Sequence, residues 1–328
     1  MLKIVKGLNL CNKYKKFELS KKRPKVLLLG NGLFRDDCKW NDIIDKCSKL
    51  DFNDNFTDDV PYSIRANVKC DILDSVRQTK YKETLEKIKY GYKNKEVLEE
   101  LLSIPFDAIL TSNYTYQIEE TVSEGYINLS DKTKNTKYCF TTQKNKKDKG
   151  NLYIYNHMKY GDVIHDIWHI HGEMRRKSSI ILTHDEYARN INRIIEYTHK
   201  RGYNMKSSTE EGYEYHFKSW VDYFILGDLY ILGFGFDYSE FDMWWLLNRR
   251  LREKSGTGKV FFYENKLKTD KTGEANKTKE ANKTKEADKI IALKNLNVEW
   301  VDLGHEDDYT IFYRKAVENI KMNITETV

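Results

Sequence analysis

The sequence predicts an α/β protein built on a doubly wound parallel sheet. Short apolar runs alternate with amphipathic stretches, and each run ends in a glycine or polar turn. The runs are continuous rather than alternating, as strands covered on both faces require. Four turns fall at predicted strand ends: "GNGLFRDD", "TSNYT", "HIHGEM" and "GFGFDYSEFD".

Taken in order, Val26 to Leu29 forms an apolar run bounded by Pro24 and by Gly30 and Gly32, a buried strand entering a tight turn. From Trp40 to about Ser103 apolar residues return at threes and fours, which predicts a helical insertion over about 36–105. Ala108 to Leu110 reads as a strand that ends in polar Thr111, Ser112 and Asn113, with a helix after it. "NLSDKTKNTKYCFTTQKNKKDKGN" is lysine-rich and aperiodic, a surface loop inside an insertion of about 115–165. "DVIHDIWHIHG" returns to alternation, and "SSIILTHDEYARNINRII" predicts a short strand and then a helix from near Asp185.

The clearest unit is "FKSWVDYFILGDLYILGFGFDYSEFDMWWLLNRRLREK": helix, buried strand Leu229 to Leu232, glycine turn, and a helix opening at Ser239. "GKVFFYEN" is a further strand. "EANKTKEANKTKEADK" repeats a polar hexapeptide without an apolar face, a solvated insertion over about 266–289 that is open to disorder. The strand-like "NVEWVDLG" and the amphipathic "DYTIFYRKAVENI" close a chain expected to be one domain over 1–328, its core running from about 24 to 320.

Composition narrows the function classes. A balance of 56 Lys and Arg against 50 Asp and Glu leaves a formal charge of +6, too mild to demand a nucleic-acid partner. No apolar run is long enough to span a membrane, and the first residues lack a cleavable leader, so the cytoplasm is the expected location. Cys11, Cys38, Cys47, Cys70 and Cys139 are scattered without a Cys-x-x-Cys pair, which argues for reduced thiols and against a zinc module.

If the sheet is parallel, the four turns gather at one edge. Glycines at 30, 32, 233 and 235 would then let backbone approach a phosphate, or simply make tight turns. Asn113 could hold a water or a hydroxyl, or cap the helix that follows. His169 and His171 could share a metal, fill the core, or supply a base at a strand end.

Together "LLLGNGLFR", "ILTSNYT", "IWHIHGEM" and "LYILGFGFDYSEFD" resemble, in order and spacing, the sirtuin-like (silent-information-regulator-like) domain of bacterial antiphage defence proteins, over about Val26 to Ile320. The resemblance implies a Rossmann-like sheet with large helical insertions, no zinc module, and NAD+ as substrate with no metal. It implies Asn113 and His171 as catalytic residues, with Asn113 orienting a water and the nicotinamide ribose and His171 as base. Gly30, Asn31, Gly32 and Arg35 would face the nucleotide from the first loop, with Thr111 and Ser112 beside Asn113. Gly233, Gly235 and Asp237 would do so from the later loop, and Glu264 or Asn265 would meet the adenosine ribose. His169 matches no catalytic position and is assigned to structure.

Three departures from deacylating sirtuins matter: the paired cysteines are missing, the acyl-lysine-binding segment is not recognisable, and Thr115 stands where their turn often carries aspartate. The expected activity is therefore NAD+ glycohydrolysis, with deacylation or ADP-ribosyl transfer as the first alternative and a non-catalytic nucleotide sensor as the second. The resemblance also implies abortive infection by NAD+ depletion. Restraint would come from homo-oligomerisation or a partner defence protein, and release from a phage-derived activator.

Overall fold

A computed structural model of the chain describes residues 15–34, 60–70, 94–121, 140–144, 151–174, 176–203, 209–253, 256–265 and 277–325. Strands β1 (Lys16–Phe17), β2 (Lys25–Leu29), β3 (Ala108–Thr111), β4 (Phe140–Lys144), β5 (Ile154–Tyr160) and β6 (Val163–His169) come first. They are followed by β7 (Tyr215–His216), β8 (Asp228–Leu232), β9 (Val260–Tyr263) and β10 (Glu299–Val301). The helices are α1 (Tyr62–Cys70), α2 (Lys95–Leu102), α3 (Gln117–Thr121), α4 (His184–Arg201), α5 (Trp220–Leu226), α6 (Phe241–Arg252), α7 (Lys277–Asn295) and α8 (Tyr309–Thr325).

An eight-stranded sheet runs β10-β9-β8-β2-β3-β6-β5-β4. From β10 to β6 every pairing is parallel, while β5 and β4 extend the far edge antiparallel. Counted in chain order from β2, the parallel strands stand 3-2-1-4-5-6, the order of a dinucleotide-binding Rossmann sheet. The predicted α/β class and doubly wound parallel sheet are therefore present. Among the described residues no helix is long and apolar enough to cross a membrane.

Continuous apolar strands cover both faces because successive side chains point opposite ways. Val26, Leu28, Leu110, Trp168, Ile231 and Phe262 pack with Trp220 to Leu226 of α5 and with Met243, Leu246 and Leu247 of α6. Leu27, Leu29, Ile109, Ile167, Leu232 and Tyr263 pack on the other face with Leu98 and Leu101 of α2 and with Phe312, Ala316 and Ile320 of α8. Capping boxes at Thr183–Glu186 and Ser219–Asp222 start α4 and α5.

Four expectations change. The lysine-rich stretch at 128–151 contains β4, whose partner β5 carries it onto the sheet edge; its remaining residues, apart from Asn151, lie outside those described. "SSIILT" forms no strand; Ile181 N–H instead bonds the His171 carbonyl at 2.8 Å, closing a loop under the next helix. Helix α6 opens at Phe241 rather than Ser239, because the Asp237 carboxylate accepts the Ser239 N–H at 2.8 Å in a turn. The hexapeptide repeat enters α7, a helix anchored at its end by buried Leu293. Of the helical insertion over about 36–105, α1 and α2 are described and most of the rest lies outside the described residues.

At the middle of the sheet two glycine turns touch backbone to backbone. A Cβ on Gly30 would lie 2.3 Å from the Gly233 oxygen, and one on Gly32 2.7 Å from the same atom. Around Gly235 a Cβ would meet nothing within 4 Å. Gly30→Ala and Gly32→Ala should each lower the unfolding free energy by about 2 kcal/mol through forced backbone shifts. Gly235→Ala should stay within about 0.5 kcal/mol of the parent, with urea unfolding followed by tryptophan fluorescence as the measurement.

Candidate active site

Strands β8, β2, β3 and β6 are parallel neighbours, so the turns that follow them leave at one edge. Sheet-building reverses direction between β2 and β8, and such a switch point is where open α/β sheets take ligands.

The first loop is held by backbone bonds to the neighbouring turn. Gly30 N–H donates to the Leu232 carbonyl at 3.0 Å and Gly32 N–H to the Gly233 carbonyl at 2.7 Å. These two amides bind the neighbouring turn, so the glycines shape the crevice rather than donating to a phosphate from it. Asn31 lies half-buried between them, and Arg35 lies outside the described residues.

The end of β3 and the loop after it carry Thr111, Ser112 and Asn113, all buried. Thr111 Oγ1 accepts the Asn113 N–H at 3.2 Å, and the Asn113 amide Nδ2 reaches the Gly30 carbonyl at 3.5 Å. Asn113 does not cap a helix, since α3 starts at Gln117. Its Oδ1 is buried without a hydrogen-bond partner among the described residues. A buried acceptor with nothing donating to it costs free energy unless a ligand or water completes it.

His169 holds this loop from behind. Its Nδ1 donates to the Asn113 carbonyl at 2.6 Å and its Nε2 to Glu119 at 2.9 Å, so both ring nitrogens are donors. Burial alone would depress its pKa, but the Glu119 carboxylate, then Glu173, raise it to about 9. Asn156 bridges Glu119 and Glu173 at 2.8 and 3.3 Å, and Arg176 pairs with Glu173.

His171 lies just beyond the end of β6, in a turn that needs Gly172 at φ +94 because a Cβ there would strike the Ser179 backbone at 2.2 Å. Its Nε2 is 3.0 Å from Asp242 Oδ2 and 3.7 Å from Glu240 Oε2. Tyr187 donates its hydroxyl proton to Glu240 at 3.2 Å, so the 3.4 Å contact of that oxygen with Nδ1 requires an N–H on His171. Both ring nitrogens then donate, and the ring is an imidazolium. The balance of charges agrees: burial pulls the pKa down, yet Asp242 and then Glu240 lift it to about 9. The expected base therefore holds a proton here and must pass one to its carboxylates before it can accept another. Asn190 donates to Asp242 at 2.9 Å, and burial, reinforced by Asp242, pushes the Glu240 carboxyl up.

The other expected side chains bond within the protein, although Glu264 Oε2 is buried without a hydrogen-bond partner among the described residues. Asp237 is exposed, with its carboxylate spent on Ser239. Asn265 uses both ends of its amide on the Glu306 backbone at 2.7 and 3.0 Å, a clip between β9 and the segment before α8. Glu264 pairs with Lys289 at 2.7 Å, and Lys289 also reaches the Gly235 carbonyl at 3.1 Å. Sequence reasoning missed Glu119, Tyr187, Glu240 and Asp242. The one available signal was the acidic pair in "SEFD" at a helix start beside a glycine turn. His171, Glu240 and Asp242 also offer ligand atoms within 4.8 Å of one another, a spacing a divalent cation could take in place of the proton.

A family model described as a SIR2-like domain matches residues 107–292. The match spans Asn113, His171, Glu240 and Asp242 and excludes the first glycine loop. No curated protein matches the chain.

Both buried imidazolium groups link stability to pH. Their folded pKa lies above the unfolded value, so their contribution is complete below pH ~6.5 and lost as pH rises through about 9. Glu240, raised from 4.5 to about 7, acts in the same direction at lower pH. The thermal midpoint should fall steadily from pH 6.5 to 9.5 in scanning calorimetry, and His169→Gln should flatten that fall.

Proposed function

The chain belongs to the SIR2-like domain family, and on that premise we propose that it is an NAD+ glycohydrolase, cleaving NAD+ to nicotinamide and ADP-ribose. SIR2-like domains use NAD+. The observation that carries the finer reading is the unpartnered Oδ1 of Asn113, buried at the switch point of a Rossmann-ordered sheet. An acceptor there can hold a water or a ribose hydroxyl over the reacting carbon.

The chemistry asks for little more. Nicotinamide leaves NAD+ as a neutral molecule because the electron pair of the broken bond cancels the ring's positive charge. No general acid is needed, unlike glycosidases that protonate the leaving oxygen. The ribosyl centre left behind is cationic. Beside it the protein would set His171 with Asp242 and Glu240, one cation and two carboxylates, hence one net negative charge favouring that cation. Asn113 places the water, and the His171 cluster takes its proton.

The missing paired cysteines favour water over an acyl-lysine acceptor. The resemblance of the four turns to defence proteins supports a role in the cytoplasm as an abortive-infection effector. Such an activity would be restrained by self-assembly or a partner and released by a phage-derived activator.

Incubation of the purified protein with NAD+ alone should release nicotinamide and ADP-ribose in equal amounts, read by chromatography. Asn113→Ala and His171→Ala should each slow this by about 10²-fold or more while retaining the parent circular dichroism. Strict dependence on an acylated peptide or protein acceptor would assign the chain to the transferases, and binding without turnover would make it a sensor. In infected cells NAD+ should fall with the parent protein and hold with His171→Ala.

A further inference from the structure

Within the His171 cluster the three polar side chains are not equivalent. The ring of His171 is 1% exposed and the Asp242 carboxylate 0%, whereas Glu240 is 17% exposed. Both His171 nitrogens are committed inward, Nε2 to Asp242 and Nδ1 to Tyr187. Asp242 is saturated: Oδ2 takes His171 and Asn190, and Oδ1 takes the Met243 N–H at 2.9 Å. Glu240 occupies the N-cap position of α6, where a carboxylate ordinarily bonds the first turn, yet its side chain makes no cap bond. Oε2 meets Tyr187 and His171, while Oε1 takes no hydrogen bond from the described residues. A carboxylate drawn away from its own helix, open on one oxygen and backed by an imidazolium, is placed to exchange protons with whatever enters the crevice.

We propose that Glu240 is a further catalytic residue of this site, the carboxylate that accepts the proton of the attacking water, with Asp242 as the positioning residue that keeps His171 behind it. The assignment rests on the NAD+-hydrolysis reading. In the step, the bond from the ribose C1′ to the nicotinamide nitrogen breaks and its electron pair goes to that nitrogen. The water oxygen bonds C1′ and yields one proton to Glu240, which later releases it to solvent. Nothing is oxidised or reduced. Among the described residues His171, Asp242, Tyr187 and Asp237 act on Glu240, while Asn190 bonds Asp242 behind it. Burial opposes its ionised form most, His171 and the Tyr187 hydroxyl favour it, and Asp242 and Asp237 oppose it.

Steady-state kinetics from pH 5 to 9 on the parent, Glu240→Gln and Asp242→Asn test the assignment, with folding checked by circular dichroism. In the parent, kcat should fall on the acid side as Glu240 becomes protonated. Glu240→Gln should lower kcat by about 10²-fold or more, leave KM within about threefold, and abolish the acid limb. Azide, a nucleophile with no proton to lose, should restore turnover in Glu240→Gln and yield the ribosyl azide. Asp242→Asn should lower kcat but keep the acid limb, displaced in pH.

Parent-like kcat with an intact acid limb in Glu240→Gln would overturn the assignment while leaving NAD+ hydrolysis standing. Absence of NAD+ turnover by the parent would overturn both. One Zn2+ or Mn2+ bound per parent chain in equilibrium dialysis, lost in Glu240→Gln and required for turnover, would also overturn it, because the cation would replace the proton.

Discussion

The crevice depends on two turns meeting without side chains between them. Gly30 and Gly32 donate to Leu232 and Gly233, and a Cβ on either glycine would collide with the Gly233 oxygen. Strand β2 carries β3 and β6 on one side, and β8 carries β9 and β10 on the other. This backbone contact continues the β2–β8 pairing that joins the two halves of the sheet out to their carboxyl ends. Asn113 bonds the Gly30 carbonyl, and α6 with its carboxylates opens shortly after the Gly233 turn. Both parts of the candidate site thus take their positions from the same contact, and the glycines matter to it through shape rather than through donated hydrogen bonds.

Around that crevice the protein buries two imidazolium groups, each costly to desolvate unless paired. The two are compensated differently. His169 with Arg176 faces Glu119 with Glu173, two cations against two carboxylates. That balanced cluster holds the backbone of Asn113 from behind. His171 faces both Asp242 and Glu240, and among the described residues no further cation acts on its proton affinity. An unbalanced buried charge is a poor structural device, since one fewer carboxylate would serve packing better. Under the proposed NAD+ hydrolysis it suits a substrate whose reacting end carries a cationic ring and passes through a cationic ribosyl centre.

Sheet and strand ends were legible because they depend on local pattern. Continuous apolar runs favour strands covered on both faces, and β2, β3, β8 and β9 follow such runs within a residue or two, whereas β6 follows an alternating stretch and the run at Ile180 to Leu182 forms no strand. Less legible was whatever depended on tertiary partners. Strand β4 has a polar, lysine-flanked sequence and becomes a strand because β5 offers it a free edge. The polar repeat lacks an apolar face, yet its Glu, Ala and Lys are good helix formers, and buried Leu293 beyond the repeat supplies the anchor. In the site, Asn113 and His171 could be singled out because they stand in strand-end turns. Their partners Glu119, Tyr187 and Asp242 come from three different helices, and no spacing in the chain connects them. Asn265 shows the converse: at the position after β9 where a ribose contact is expected, its amide is held by the Glu306 backbone, distant in sequence.

The two histidines in "HIH" show how far a spacing argument reaches. On a continuing strand, residues two apart share a face, and both rings would have been aimed at one ion. Strand β6 stops at His169, however. The Ile170 N–H still bonds the Thr111 carbonyl and its side chain stays in the core, but Gly172 at φ +94 turns the chain out of the sheet. One ring consequently faces Glu119 and the Asn113 loop, and the other faces the start of α6. The pair is divided by the glycine that follows it. That division gives each ring its own carboxylates, so that one can brace the asparagine while the other holds a proton beside Glu240.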